Sequence, residues 1–250
     1  MARNPSFQEL VRSICALHLT GDAGMQMEKF KGMELAKGPQ TEGKISVEAA
    51  VKEMVATVGE NCQMRSAKGI AVAGPGGVYK YLHTPMGDNV GKVGCMVGLE
   101  CDTKNTEELA KLGYSLAMHV AAGNPLYNNI ADIPASDVEK EKNIFIQQAE
   151  ESGKTREIAE KMTMGRIKKW HEEVVLHEQE YLIGEGKKKV KDVLKEFEKT
   201  LGAPVKIAAF IRVKCVDPNH EKNRIKSGYK NARGKGVSRT HVACALFANI

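Results

Sequence analysis

No apolar run in this chain approaches the length of a membrane span. A secretory leader is also not expected, because charged Arg3, Glu9 and Arg12 interrupt any apolar core near the start. The cytoplasm is therefore the expected compartment. Six cysteines occur, at Cys15, Cys62, Cys95, Cys101, Cys215 and Cys244, and none forms a C-x-x-C pair. Reduced, partly buried thiols are expected, rather than disulfides or a zinc site. The run Gly74-Pro75-Gly76-Gly77 lacks the terminal Lys-Ser/Thr of a phosphate loop and reads as a chain reversal. His171 and His177 are six residues apart, about 240° around a helix, so they cannot share a metal from one face. No Ser/His/Asp or Cys/His set is arguable from spacing, and no internal repeat is evident. Neither an enzyme active site, a metal nor a cofactor is expected.

What is present is ordinary for a globular protein. The chain has 250 residues, 42% hydrophobic and 27% charged, enough for one or two small domains with a real core. Net charge is +6 but uneven: residues 216–250 carry seven Lys/Arg against Asp217 and Glu221, which accounts for five of the six charges. The same segment has little periodicity and much loop composition, and is expected to be a disordered basic tail. It could touch RNA electrostatically, but no RNA-binding module is recognisable.

Periodicity places helices over residues 4–19, 46–58, 109–122 and 187–201. Pro5 suits the first turn of the first helix, and Ser46 the N-cap of the second. Residues 70–73 read as the end of a strand. Residues 78–83 and 90–100 read as a hairpin, with Gly87-Asp88-Asn89 between them. Gly91, Gly94 and Gly98 in its second strand suggest close approach by a helix. Residues 205–213 form a third strand that can complete a three-stranded antiparallel sheet with helices on one face. The predicted class is α+β.

Residues 134–170 read as two helices joined by the tight turn Ser152-Gly153-Lys154, and so short a connection makes them antiparallel. Ser136 and Glu139 have capping-box spacing at the start. Glu157 and Lys161 sit at i and i+4 in the favourable order.

The residues of this region carry a resemblance. Met118-His119-Val120-Ala121-Ala122-Gly123-Asn124-Pro125, Val138-Glu139-Lys140-Glu141, Ser152-Gly153-Lys154, Glu157-Ile158-Ala159-Glu160-Lys161-Met162 and Gly165-Arg166-Ile167-Lys168-Lys169-Trp170 closely resemble bacterial elongation factor Ts in order and spacing. A weaker match runs over residues 2–215. Val58-Gly59-Glu60-Asn61 resembles the family's glycine–glutamate–asparagine turn, where Arg65 matches and Ser66 departs.

The resemblance implies small antiparallel sheets packed with helices, plus a projecting coiled-coil hairpin. It implies an N-terminal core subdomain over residues 1–73, and a C-terminal one over 74–215 with the hairpin inserted at 134–170. It implies guanine-nucleotide exchange on elongation factor Tu, in its GDP-bound and nucleotide-free forms, with no covalent step. Val58, Gly59 and His83 match positions of the family's exchange surface. Each also has a plain structural reading: Val58 as core, Gly59 as helix cap, His83 as a hairpin-end residue. Met1-Ala2-Arg3-Asn4 resembles the tail of a family motif whose aspartate–phenylalanine pair has no counterpart here. That implies a chain shorter at its N-terminus than its relatives, an open edge on the strand around residues 64–73, and weakened exchange. The alternative is a binding-only fragment that docks on elongation factor Tu, or forms a homodimer, and catalyses nothing. No membrane or specific nucleic-acid partner is expected.

Overall fold

The computed structural model describes residues 3–21, 25–87, 89–153, 155–184, 186–214 and the backbone of 241–249. Readings that fall on residues 1–2, Asp88, Lys154, the Arg65 side chain and 215–240 lie outside the described residues.

Helix α1 spans Pro5–Thr20. The Asn4 side chain accepts from the amides of Ser6 and Phe7, which satisfies two of the helix's free N–H groups. Phe7, Leu10, Val11, Ile14 and His18 recur at helical spacing and form its buried face. A short helix α2 (Met27–Lys31) and a minimal pair of strands, β1 (Glu34–Leu35) and β2 (Ile45–Ser46), lead into α3 (Val47–Val58). Ser46 caps α3 by accepting from Ala49 N. The faces of α1 and α3 meet around Phe30, Leu35, Val47, Ala50 and Met54 in a first core.

Strand β3 covers Gln63–Val72. Strands β4 (Gly76–Gly87), β5 (Val90–Glu100) and β6 (Lys206–Lys214) form an antiparallel sheet in the order β4-β5-β6. The two faces of this sheet do different work. Val93, Cys95, Val97 and Leu99 of β5 point into a second core with α4 (Thr106–Gly123) and α7 (Val190–Leu201). Met96 of β5, with Ile211 and Val213 of β6, points the other way and packs against Ile70 and Val72 of β3. Each large apolar side chain buried here contributes about 1.5–3 kcal/mol.

That second face corrects the reading of the β5 glycines. A β-carbon at Gly98 would lie 2.9 Å from Val72 Cγ2 and 3.0 Å from Ile70 Cγ2. The element that needs the bare backbone is a strand crossing the sheet, not a helix. β-Branched side chains reach as far as a helical ridge, so sequence alone did not separate the two.

Helix α5 (Ala135–Glu151) and helix α6 (Arg156–Val174) form the antiparallel hairpin. Ala149, Ala159, Thr163, Ile167 and Trp170 are buried along its seam. Gly153 takes φ +77° at the turn, where glycine carries no steric penalty. Two details differ from expectation. Helix α5 begins at Ala135 with Pro134 at the cap, two residues too early for a Ser136–Glu139 capping box, and no side chain caps it. Helix α6 continues past Trp170 to Val174, where Leu126 N donates to Val174 O at 2.8 Å.

The largest departure concerns the expected disordered tail. Residues 241–249 form a strand, β7 (His241–Asn249), antiparallel to β3 from Gln63↔Asn249 to Val72↔His241, with an irregularity between Met64 and Ser66. One edge of β3, a strand expected to stand open, is therefore paired. The physical reason is the unmet main-chain hydrogen bonding of β3, which a distant apolar run, Val242-Ala243-Cys244-Ala245-Leu246-Phe247, can satisfy.

Candidate functional site

The three residues singled out from the sequence lie on two elements docked to the first core. Val58 ends α3, half-buried against that core. Gly59 follows in the left-handed region at φ +70°, and its N–H donates to Val55 O at 2.9 Å. This is a helix-ending αL cap. Among the described residues no atom beyond its chain neighbours lies within 4 Å of where a β-carbon would stand, so Gly59 is needed for its backbone and not for space.

His83 lies on β4, opposite Val93 of β5, and is exposed. Three residues on, Met86 packs against the first core with Val90, across the β4–β5 turn. Gln8 of α1 donates from Nε2 to Met86 O at 3.1 Å. Thus α1 and α3 hold both the Val58–Gly59 turn and the hairpin end that carries His83.

Around His83 the sheet presents aromatic rings. The Tyr81 hydroxyl lies 3.3 Å from His83 Nδ1, with ring centroids 6.2 Å apart. Tyr114 of α4 meets Tyr81 edge-on at 5.7 Å and 80°. Tyr114 is 49% exposed. Sequence periodicity did not point to Tyr81 or Tyr114, because the pair forms between a strand and a helix. The usable signal was alternation: Tyr79, Tyr81 and His83 fall on one face of a strand.

The helical hairpin is a second exposed feature. Ile144 (44%), Ile158 (47%), Met162 (41%) and Met164 (77%) stand open to solvent. Arg166 lies over the Phe145 ring, 5.9 Å from its centroid. The root of the hairpin is pinned by polar contacts. Tyr127 donates its hydroxyl to Asp137 Oδ2 at 2.8 Å, and burial, reinforced by Asp137, pushes the phenol up to about 12. Lys189 bridges Glu172 (3.0 Å) and Glu178 (3.1 Å), and Lys191 reaches Glu178 at 2.8 Å. The two lysines, Lys191 first, hold the Glu178 carboxyl below its ordinary value against partial burial.

His119, part of the block from Met118 to Pro125, is wholly buried. Leu182 N donates to its Nδ1 at 3.2 Å, so the proton is on Nε2, which donates to Gln179 Oε1 at 3.0 Å. Gln179 in turn donates to Gly123 O and Glu173 O. One buried imidazole thereby ties the ends of α4 and α6 together. Its burial lowers its pKa, with the Gln179 bond opposing.

Burial pushes the Cys95 thiol up to about 12 and raises Cys62 and Cys101, so none is an activated nucleophile. Cys15, Cys62, Cys95 and Cys101 are free thiols. Among the described residues no group of three or more His, Cys, Asp or Glu is placed to hold a metal. His177 Nδ1 donates to Asn128 O at 2.7 Å, on a turn beyond the helix that carries His171. Among the described residues no helix is long and apolar enough to cross a membrane.

A helical hairpin and small antiparallel sheets packed with helices define an α+β protein with apolar side chains exposed on the hairpin. Comparison with known proteins identifies the family. The family model for elongation factor TS matches residues 1–216. The chain is 39% identical over 212 residues to elongation factor Ts of Paramagnetospirillum magneticum, covering 85% of this chain and 65% of that relative. It is 41% identical over 213 residues to elongation factor Ts of Sinorhizobium fredii, covering 85% and 66%. For Rhodospirillum rubrum elongation factor Ts the identity is 37% over 212 residues. The chain belongs to the elongation factor Ts family. It spans about two thirds of the length of these relatives, and strand β7 lies beyond the matched residues.

Proposed function

We propose that this chain is a guanine-nucleotide exchange factor for elongation factor Tu in translation elongation. It docks on the GDP-bound form, favours the nucleotide-free form, and so promotes GDP release. The observation that carries this reading is the family match across residues 1–216. The mechanism needs no bond-making residue and no cofactor. A partner that binds the nucleotide-free state more tightly lowers nucleotide affinity by the same factor, as linkage requires. Val58 and Gly59 at the end of α3 and His83 at the β4–β5 hairpin form the exchange surface in this reading. Their support is the motif match, together with the shared docking of both elements on the first core. The cytoplasm is the proposed compartment.

A second reading is a binding-only module that holds elongation factor Tu, or a second copy of this chain, without exchange. The exposed apolar side chains of the hairpin, Ile144, Ile158, Met162 and Met164, are the observation that favours it. Release of a fluorescent GDP analogue from elongation factor Tu separates the two. Acceleration over spontaneous release supports exchange. Complex formation without acceleration supports the binding module, and neither would overturn both readings.

A further inference from the structure

Tyr79, Tyr81 and His83 alternate along β4 and share the face turned to α4. Among the described residues strand β4 is an edge of its sheet, so on its outer side no further strand of that sheet flanks these rings. Helix α4 supplies the bracing instead. The Tyr79 ring lies against Gly113, where any side chain would collide with it. One residue further along the helix, Tyr114 meets Tyr81 edge-on at 5.7 Å. Tyr81 is half-buried against the second core, and its hydroxyl ends 3.3 Å from His83 Nδ1. The series therefore runs from a packed ring, through a half-buried ring, to an exposed imidazole.

We propose that Tyr81, braced by Tyr114, is a positioning residue for His83: its hydroxyl occupies Nδ1 and leaves the Nε2–H as the donor offered to the partner. This rests on the reading of His83 as part of the exchange surface, and it names the group by which that surface acts. A freely rotating exposed imidazole would spread its proton over both nitrogens and its ring over several rotamers. A hydroxyl that holds one nitrogen removes that freedom before the partner arrives. The ligand chemistry matched by such a group is a hydrogen-bond acceptor, a carbonyl or carboxylate on the partner protein.

The test is a mutant cycle in the full chain, read as GDP release from elongation factor Tu and as the Kd for its nucleotide-free form. His83→Ala is expected to weaken both. Tyr81→Phe keeps the ring and loses only the hydroxyl; it is expected to cost about threefold to tenfold. The double variant is expected to be no worse than His83→Ala alone, since the tyrosine acts through the histidine. Tyr114→Leu is expected to weaken both readouts and Tyr114→Phe to restore them. Nitrogen NMR of the free chain gives a readout that needs no partner: the neutral His83 ring is expected almost wholly in its Nε2–H form, and in Tyr81→Phe it is expected to fall back to the tautomer mixture of an unconstrained histidine.

No loss in His83→Ala would overturn the reading of His83 and the positioning claim with it. A loss in His83→Ala with Tyr81→Phe unaffected would overturn positioning alone. Additive losses in the double variant would also overturn it, because Tyr81 would then touch the partner itself. If the chain binds without accelerating release, the same cycle is read in Kd. A mixed tautomer population in the unaltered chain counts against the proposal whatever the partner does.

Discussion

His119 carries two hydrogen bonds in a wholly buried site, and its Gln179 partner reaches two further carbonyls. Removing the imidazole leaves buried polar groups without partners and a cavity. His119→Ala is expected to lose about 2–4 kcal/mol, measured by denaturant unfolding. The same residue gives a pH dependence. Burial holds the His119 and His18 imidazoles below 6.5 in the folded chain. The unfolded chain therefore takes up protons first as pH falls through 6.5. Their contribution is complete above that value and is lost progressively below it. Stability measured against pH should decline on the acid side of 6.5, and less steeply in His119→Gln. A stability curve that is flat from neutrality to below 6.5 would contradict this assignment.

Two glycines separate conformational need from steric need. Gly59 has open space and positive φ, so Gly59→Ala should cost about 1–2 kcal/mol from backbone strain alone. Gly113 has ordinary helical backbone but the Tyr79 ring in the way, so Gly113→Ala should cost about 1–3 kcal/mol by overpacking. Adding Tyr79→Leu should relieve much of the second loss and none of the first, as thermal unfolding of the four variants would show.

Among the elements, the hairpin has a weak apolar seam and depends on its root. Ala149 and Ala159 let its helices approach but bury little area, and several larger side chains face solvent. The contacts of Lys189, Lys191, Glu172 and Glu178 join the end of α6 to the start of α7. Glu178→Gln should loosen this joint. Amide exchange is expected to rise in the last turn of α6 and the first turn of α7, with a global loss of about 1 kcal/mol or less. Exchange that rises evenly over the whole chain would argue against a local role.

The helices and the β4–β5–β6 sheet were legible in the sequence because their signals are local: a 3.6-residue period in α1, α3, α4 and α7, and apolar strands set off by turn residues. The hairpin was legible because one glycine turn forces two helices together. Three things were not. The start of α5 depended on Pro134 acting as a cap, two residues before the Ser136 signal. The neighbour of Gly98 is a strand from the other sheet, and β7 pairs with a segment far away in the chain. No local period encodes either contact. Of the site, Val58, Gly59 and His83 came from motif resemblance alone. Gly59 as a helix cap was open to sequence reasoning. The Tyr81–Tyr114 brace was not, because it depends on how α4 lies across the sheet.

For the whole molecule, three cores are stacked: helices α1 and α3, the β3–β7 pair, and the larger sheet with α4 and α7. Strand β3 sits in the middle and touches both neighbours through Met64, Ile70 and Val72. Ending the chain after Lys214 removes its partner strand. That variant should be less stable in urea and should scatter light on concentration, as an unpaired edge recruits other strands. Unchanged urea unfolding and unchanged scattering would mean that β7 contributes nothing to β3.

The pairing of Gln63 with Asn249 also sets a schedule. At roughly 5–20 residues per second, about ten to forty seconds separate the synthesis of β3 from that of its partner strand. Throughout that interval the nascent chain carries an uncovered β3 while its helices are free to pack. A ribosome that stalls late in the message would release a product in which that wait never ends.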